Sequence, residues 1–326
     1  GSSGTNNGTL INNIADGTYT YTTLDSNLDP IIGTEDNYDK AYYESFTPST
    51  IFTVRLTSGA EAKNINKNAS LYYSVDSATG YNITNNPYTA NLIFDGSNII
   101  HGNTNIGNGN IQLNGGVVFK GTVATGSIDV NAGITTFEDT VTATTTTITG
   151  GTVILNSNLT GNVVTTGNQG ILTTTGVTQT ITGDIGSGTS SLNTLNIGSD
   201  TVSGNYSKTT IKGNVFATNT ILNNNNNDNS DGTTNSSELI LASGKNITSI
   251  ITTADADMGI LTLAGGTQTV SGTVGEDGIS LKEINAGAAG STSTFTEDVY
   301  ALNTNIGSGT VILNSNLTGN VVTTGN

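Results

Sequence analysis

From about residue 105 onward, apolar and polar residues alternate with a period of two. In Leu159-Thr160-Gly161-Asn162-Val163 the aliphatic ends stand four apart, on one side of an extended strand. Val153 and Leu155 behave alike. The runs are short, β-branched and bounded by Gly and Asn, which predicts many short strands joined by tight turns. One pattern recurs: an apolar residue, any residue, Gly or an acid, any residue, then Val or Ile. It starts at Phe119, Phe137, Leu159, Ile181, Ile211, Val270, Phe295 and Leu317. Neighbouring starts mostly stand roughly 22 residues apart, a period in the range of solenoid repeats. The long step from Ile211 to Val270 is expected to conceal one or two degenerate copies.

Longer repeats lie over this pattern. Residues 152–168 read TVILNSNLTGNVVTTGN, and residues 310–326 read the same seventeen letters, an offset of 158. Gly170-Ile171-Leu172-Thr173 with Thr178-Gln179-Thr180 returns as Gly259-Ile260-Leu261-Thr262 with Thr267-Gln268-Thr269, an offset of 89. Self-similarity of this kind is the signature of stacked repeats, in which no single unit can bury its own apolar face. The expected fold is all-β: a right-handed parallel β-helix with coils of roughly 22 residues, aliphatic files inside and Asn ladders at the corners. An antiparallel sandwich array and a disordered low-complexity chain are the alternatives. Regular aliphatic spacing and low charge per residue argue against disorder.

Three regions follow from composition. Residues 1–9, opening Gly1-Ser2-Ser3-Gly4, read as a cloning remnant or a disordered end. Residues 10–105 hold nine of the 11 tyrosines, all 3 prolines and the single Arg, Arg55, and read as a β-rich cap or head. Residues 106–326 are the repetitive solenoid, with an insertion loop near 223–237.

Composition narrows the chemistry. Thr (60), Asn (44) and Gly (42) fill close to half of the 326 residues, which excludes a helical bundle. With no Cys and one His, disulfide scaffolds and Cys/His zinc sites are excluded. The net charge of −16 leaves no basic footprint for nucleic acid or for an acidic membrane surface. No apolar run reaches the ~18 residues of a membrane helix.

The sharpest local pattern is Asn227-Asp228-Asn229-Ser230-Asp231-Gly232-Thr233 with Glu238. Counted from Asn227, oxygen donors fall at the first, third and fifth places (Asn227, Asn229, Asp231). Gly is sixth, the Thr233 carbonyl seventh and Glu238 twelfth, which is calcium-loop spacing. Asn in place of Asp at the start, after a run of asparagines, favours a solvated insertion loop instead. The acidic pairs Glu138-Asp139, Glu276-Asp277 and Glu297-Asp298 recur at expected corners. A carbohydrate-active β-helix would need paired carboxylates at a set separation, and usually aromatic platforms, yet the solenoid has only Tyr206 and Tyr300 and no Arg or Trp. His101 reads as a packed or solvated histidine, and the run Thr144–Thr147 as too local for an ice-binding array. No catalytic residue is assigned.

The phrases GILTTTGVTQTITGDIG (170–186), GGTQTVSGTVG (265–275) and VNAGITTFEDTVTATTTTITGGTVIL (130–155) resemble the passenger repeats of rickettsial surface cell antigens. These are autotransporters of the outer membrane protein A and B type. The resemblance covers about residues 110–326. It implies a secreted, non-enzymatic passenger at the cell surface, attached to the outer membrane through a part not in this chain. Such a passenger acts as an adhesin on a host-cell receptor or as a coat among neighbouring subunits. A self-assembling S-layer or filament subunit is the alternative, and a carbohydrate-active enzyme the third reading.

Overall fold

The computed structural model describes residues 91–199, 206–224 and 235–324. It also describes the backbone of Thr23–Leu24, Pro30–Ile31, Ala41–Thr47, Ile51–Leu56, Glu61–Ala62, Ile65–Asn66 and the start of Thr89–Phe94. Residues 1–9, the Tyr-rich side chains before residue 90, and Asn227, Asn229, Asp231 and Thr233 lie outside the described residues. The regular elements are strands, stacked in parallel register as a β-solenoid. The chain divides into two compact units, Gly1–Val153 and Ile154–Asn326.

A parallel partner cannot be reached through a tight hairpin; about a dozen residues must intervene. In the first unit the remaining faces of each coil supply them. Leu92 stands in register with Ile111, Ile111 with Ile128 and Ile128 with Thr146. A second file runs through Ile100, Phe119 and Phe137, and a third through Thr104, Val123 and Val141. Each coil therefore has three faces. These coils are shorter than the repeat spacing predicts: Leu92, Ile111, Ile128 and Thr146 follow one another at steps of 19, 17 and 18 residues, with no insertion at their corners.

Alternation sets what faces inward. In Asn110–Leu113, Ile111 and Leu113 are fully buried while Asn110 and Gln112 are partly exposed. Burying one such aliphatic side chain stabilises the coil by about 1.5–3 kcal/mol. Phe119 stacks on Phe137 at 5.1 Å between ring centroids and meets Phe94 edge-on at 5.5 Å. Among the described residues, parallel pairing begins at Ile51–Leu56, whose opposite edge carries Ala41–Thr47 in antiparallel register. A strand laid that way leaves less of the parallel edge open.

In the second unit one file runs Val163, Ile185, Val215, Ile247, Val270, Phe295, Leu313. Another runs Leu172, Leu195, Thr220, Ile251, Val274, Val299, Leu317. The steps along each file are unequal, because insertions lengthen some coils and not others. Asn224 and Ser236 form an antiparallel bridge, so the longest coil closes across its insertion there.

The recurrent pentapeptides do not form the single file expected from their spacing. Those starting at Leu159, Ile181 and Ile211 stack on one another. Val270–Val274 and Phe295–Val299 stack as a second set. Ile247 sits over Val215, the last residue of one motif, and under Val270, the first residue of another. Leu317 likewise pairs with Val299. The pentapeptide is a corner between two faces, and different coils use it at different corners. The long step from Ile211 to Val270 conceals Ile247-Thr248-Ser249-Ile250-Ile251, with Ser249 in place of the corner Gly.

Candidate functional site

The corners carry a hydrogen-bond ladder that runs through the fourth residue of three motifs and then through the residues just before Ile247 and Val270. The Asn162 side-chain oxygen accepts the N–H of Asp184 at 2.8 Å, and Asp184 accepts that of Asn214 at 2.6 Å. Asn214 accepts the N–H of Asn246 at 2.9 Å, and Asn246 that of Thr269 at 2.8 Å. Asn and Asp serve alike because the acceptor is an oxygen in either case. The expected ladder of side-chain amides occurs as well: in the first unit Asn131 donates to Asn114 at 3.0 Å and Asn114 to Asp95 at 2.9 Å, and in the second Asn305 donates to Asn285 at 2.9 Å. The third residue of the corner is Gly because the coils nearly touch there: a Cβ on Gly183 would run into the Gly161 carbonyl, and one on Gly213 into that of Gly183.

Two buried glutamines latch wider corners. Gln268, 0% exposed, donates through Nε2 to the carbonyls of Ala242 at 2.9 Å and Lys245 at 3.0 Å and accepts the Gly265 N–H at 2.8 Å. Gln179 donates to the Ser157 carbonyl at 3.0 Å and accepts the Gly176 N–H at 2.6 Å. The repeated Thr-Gln-Thr was the sequence signal for this latch; its role is visible only once the neighbouring coil is in place.

Glu238, the distal residue of the calcium-spaced motif, opens the strand Glu238–Leu241. Its carboxylate is taken up from both sides: Lys208 Nζ lies 3.3 Å from Oε2, and Thr262 donates to Oε1 at 2.7 Å. The chain of contacts continues outward, with Asn285 donating to Thr262 at 3.2 Å and Asn305 to Asn285 at 2.9 Å. Five successive coils are thereby tied along one outer face. Among the described residues no cluster of three or more His, Asp or Glu could hold a metal ion.

The acidic pairs stay at corners. Asp298 accepts hydrogen bonds from the Ser315 hydroxyl, the Asn316 N–H at 3.1 Å and Asn316 Nδ2 at 3.2 Å. The Ser315 hydrogen bond, then the Asn316 N–H, hold its carboxyl below the usual 3.8. At Thr145 and Thr147 the neighbouring coil presents Ser127 and Asp129, so the threonine run does not extend into an array there.

An open groove of about 390 Å³ crosses the second unit, lined by Thr218, Thr248, Ile250, Ser271, Thr296 and Glu297. Its walls mix Ser and Thr side chains with Ala217, Ile250 and the Glu297 carboxylate. Among the described residues no helix is long and apolar enough to cross a membrane. Comparison with protein-family models, curated proteins and solved structures finds no match.

Proposed function

We propose that this chain is part of a bacterial surface passenger, a non-enzymatic adhesin or coat protein built on a β-solenoid. The observation that carries this reading is the coil-on-coil register, with aliphatic files inside and polar ladders, mostly of Asn and Thr, outside. Such stacking lengthens by adding coils and needs no further core. Outer ladders hold the surface rigid, which lowers the entropy lost when a partner docks. The resemblance of residues 110–326 to rickettsial surface antigen repeats points the same way. Beads coated with the chain are expected to bind cultured host cells and to be displaced by soluble chain. Binding no greater than that of beads bearing an unrelated β-solenoid would overturn the reading.

A further inference from the structure

One buried file of the second unit has two outer flanks that behave differently. Val215, Ile247, Val270 and Phe295 are buried and stand in register, each with a coil on either side. The residues just before them carry the corner ladder: Asn214 accepts the Asn246 N–H, and Asn246 that of Thr269. The residues just after them are Phe216, Thr248, Ser271 and Thr296. Phe216 pairs with Thr248 and Thr248 with Ser271, so these too form a file along the stack. Among the described residues, the hydroxyls of Thr248, Ser271 and Thr296 make no hydrogen bond within the protein. One flank spends its polar groups on tying coils together; the other leaves them available.

The available flank is also the concave one. Thr248, Ser271 and Thr296 line the groove of about 390 Å³, which runs from Ser191 to Glu297 across five successive coils. Its floor is low because the coils nearly touch there. A Cβ on Gly272 would run into the Ser249 carbonyl, and Ala217 and Ser249 are buried. Exposed Ile250 supplies an apolar contact and exposed Glu297 the one carboxylate, while no Lys or Arg lines the groove.

From this contrast we propose that the groove binds an uncharged glycan chain laid along the stack. Each Ser or Thr hydroxyl can both donate and accept, as sugar hydroxyls do, and Ile250 offers a surface to the C–H face of a pyranose. Successive corners stand about 4.8 Å apart, close to the length of one pyranose in an extended glycan. Glu297 and the net charge of −16 repel an anionic polymer. A peptide strand would need an open sheet edge, and these coils already pair on both sides. Glycoside hydrolysis takes two carboxylates flanking the bond; the groove offers one, so the glycan is held and not cut. The site goes beyond adhesion, and stands or falls whether or not the chain attaches to cells.

The test titrates the intact chain with cellulose- and chitin-derived oligosaccharides of increasing length, read by calorimetry and by amide chemical shifts. Affinity is expected to rise up to about four sugars and then level, because five corners enclose about four such intervals. Shift changes are expected at 248–250, 271–272 and 296–297, a map that needs no variant. Thr248→Ala combined with Thr296→Ala is expected to weaken binding about tenfold. Thr178→Ala, which removes an exposed hydroxyl outside the groove, is expected to leave it unchanged. Heparin is expected not to bind, and the oligosaccharides to stay intact. No binding across the series, affinity independent of length, shift changes elsewhere, or full affinity in the double variant would overturn the site. Tighter binding of heparin or of a hydrophilic peptide, or release of shorter sugars, would overturn it as well.

Discussion

The Asp184 carboxylate accepts the backbone N–H of Asn214 at 2.6 Å, across thirty residues of chain. It does so because both residues hold the fourth place of a corner motif, and Ile185 and Val215 stand in register beside them. Chain separation is irrelevant to a coil corner; only the stacking of one corner on the next decides who meets whom.

The ladder gives a direct mutational test. Asn214→Ala removes the acceptor for the Asn246 N–H and is expected to cost about 0.5–1.5 kcal/mol. Asn214→Asp keeps the oxygen, as Asp184 does naturally, and is expected to cost less. Urea unfolding of the two variants measures the difference, and equal losses would count against an acceptor role.

Corner glycines should separate by cause. Gly183→Ala drives a methyl into the Gly161 carbonyl and is expected to cost about 1–3 kcal/mol, the range for overpacking. Gly244 has open space around it but a φ of +71°, so Gly244→Ala meets backbone strain alone and is expected to cost about 1 kcal/mol. Thermal unfolding should rank the first as the more damaging.

Asp298 makes a pH prediction whose sign follows from its hydrogen bonds. Its folded pKa is depressed, so its contribution is present above the unfolded value of 3.8 and is lost as pH falls through the lower folded value. A carboxyl titration by NMR is expected to place its midpoint below 3.8, and Ser315→Ala to raise it. A midpoint unmoved by Ser315→Ala would remove the Ser315 hydroxyl as the leading cause.

Glu238 offers a test of the calcium spacing. Its two oxygens already meet Lys208 and Thr262, and an ion would have to displace both. Millimolar calcium is therefore expected to leave the melting temperature unchanged relative to a chelator. A calcium-dependent rise that Glu238→Gln abolishes would show the opposite.

The inward faces could be read from the residues. Val153, Leu155, Leu159 and Val163 announced theirs by spacing alone, and all four are buried. The candidate site was less legible. Nothing in the spelling of Thr-Gln-Thr says that Gln268 reaches the carbonyls of Ala242 and Lys245, more than twenty residues earlier. The calcium spacing was legible too, but Glu238 directs its charge to a neighbouring coil that the local pattern does not mention.

What the residues dictated unaided was local: strands of alternating polarity, glycine corners, and coils too apolar on one side to stand alone. Those properties belong to each segment, because β-branched side chains and φ preferences act within a few residues. Which corner lies over which was settled by the folded stack. Insertions lengthen individual coils, so the same pentapeptide lands on different edges, and Val270 comes to rest in the file of Val215 while Ile185 pairs with Val215 directly. Register between coils follows from the burial of whole files at once, a sum over the stack that no single repeat contains.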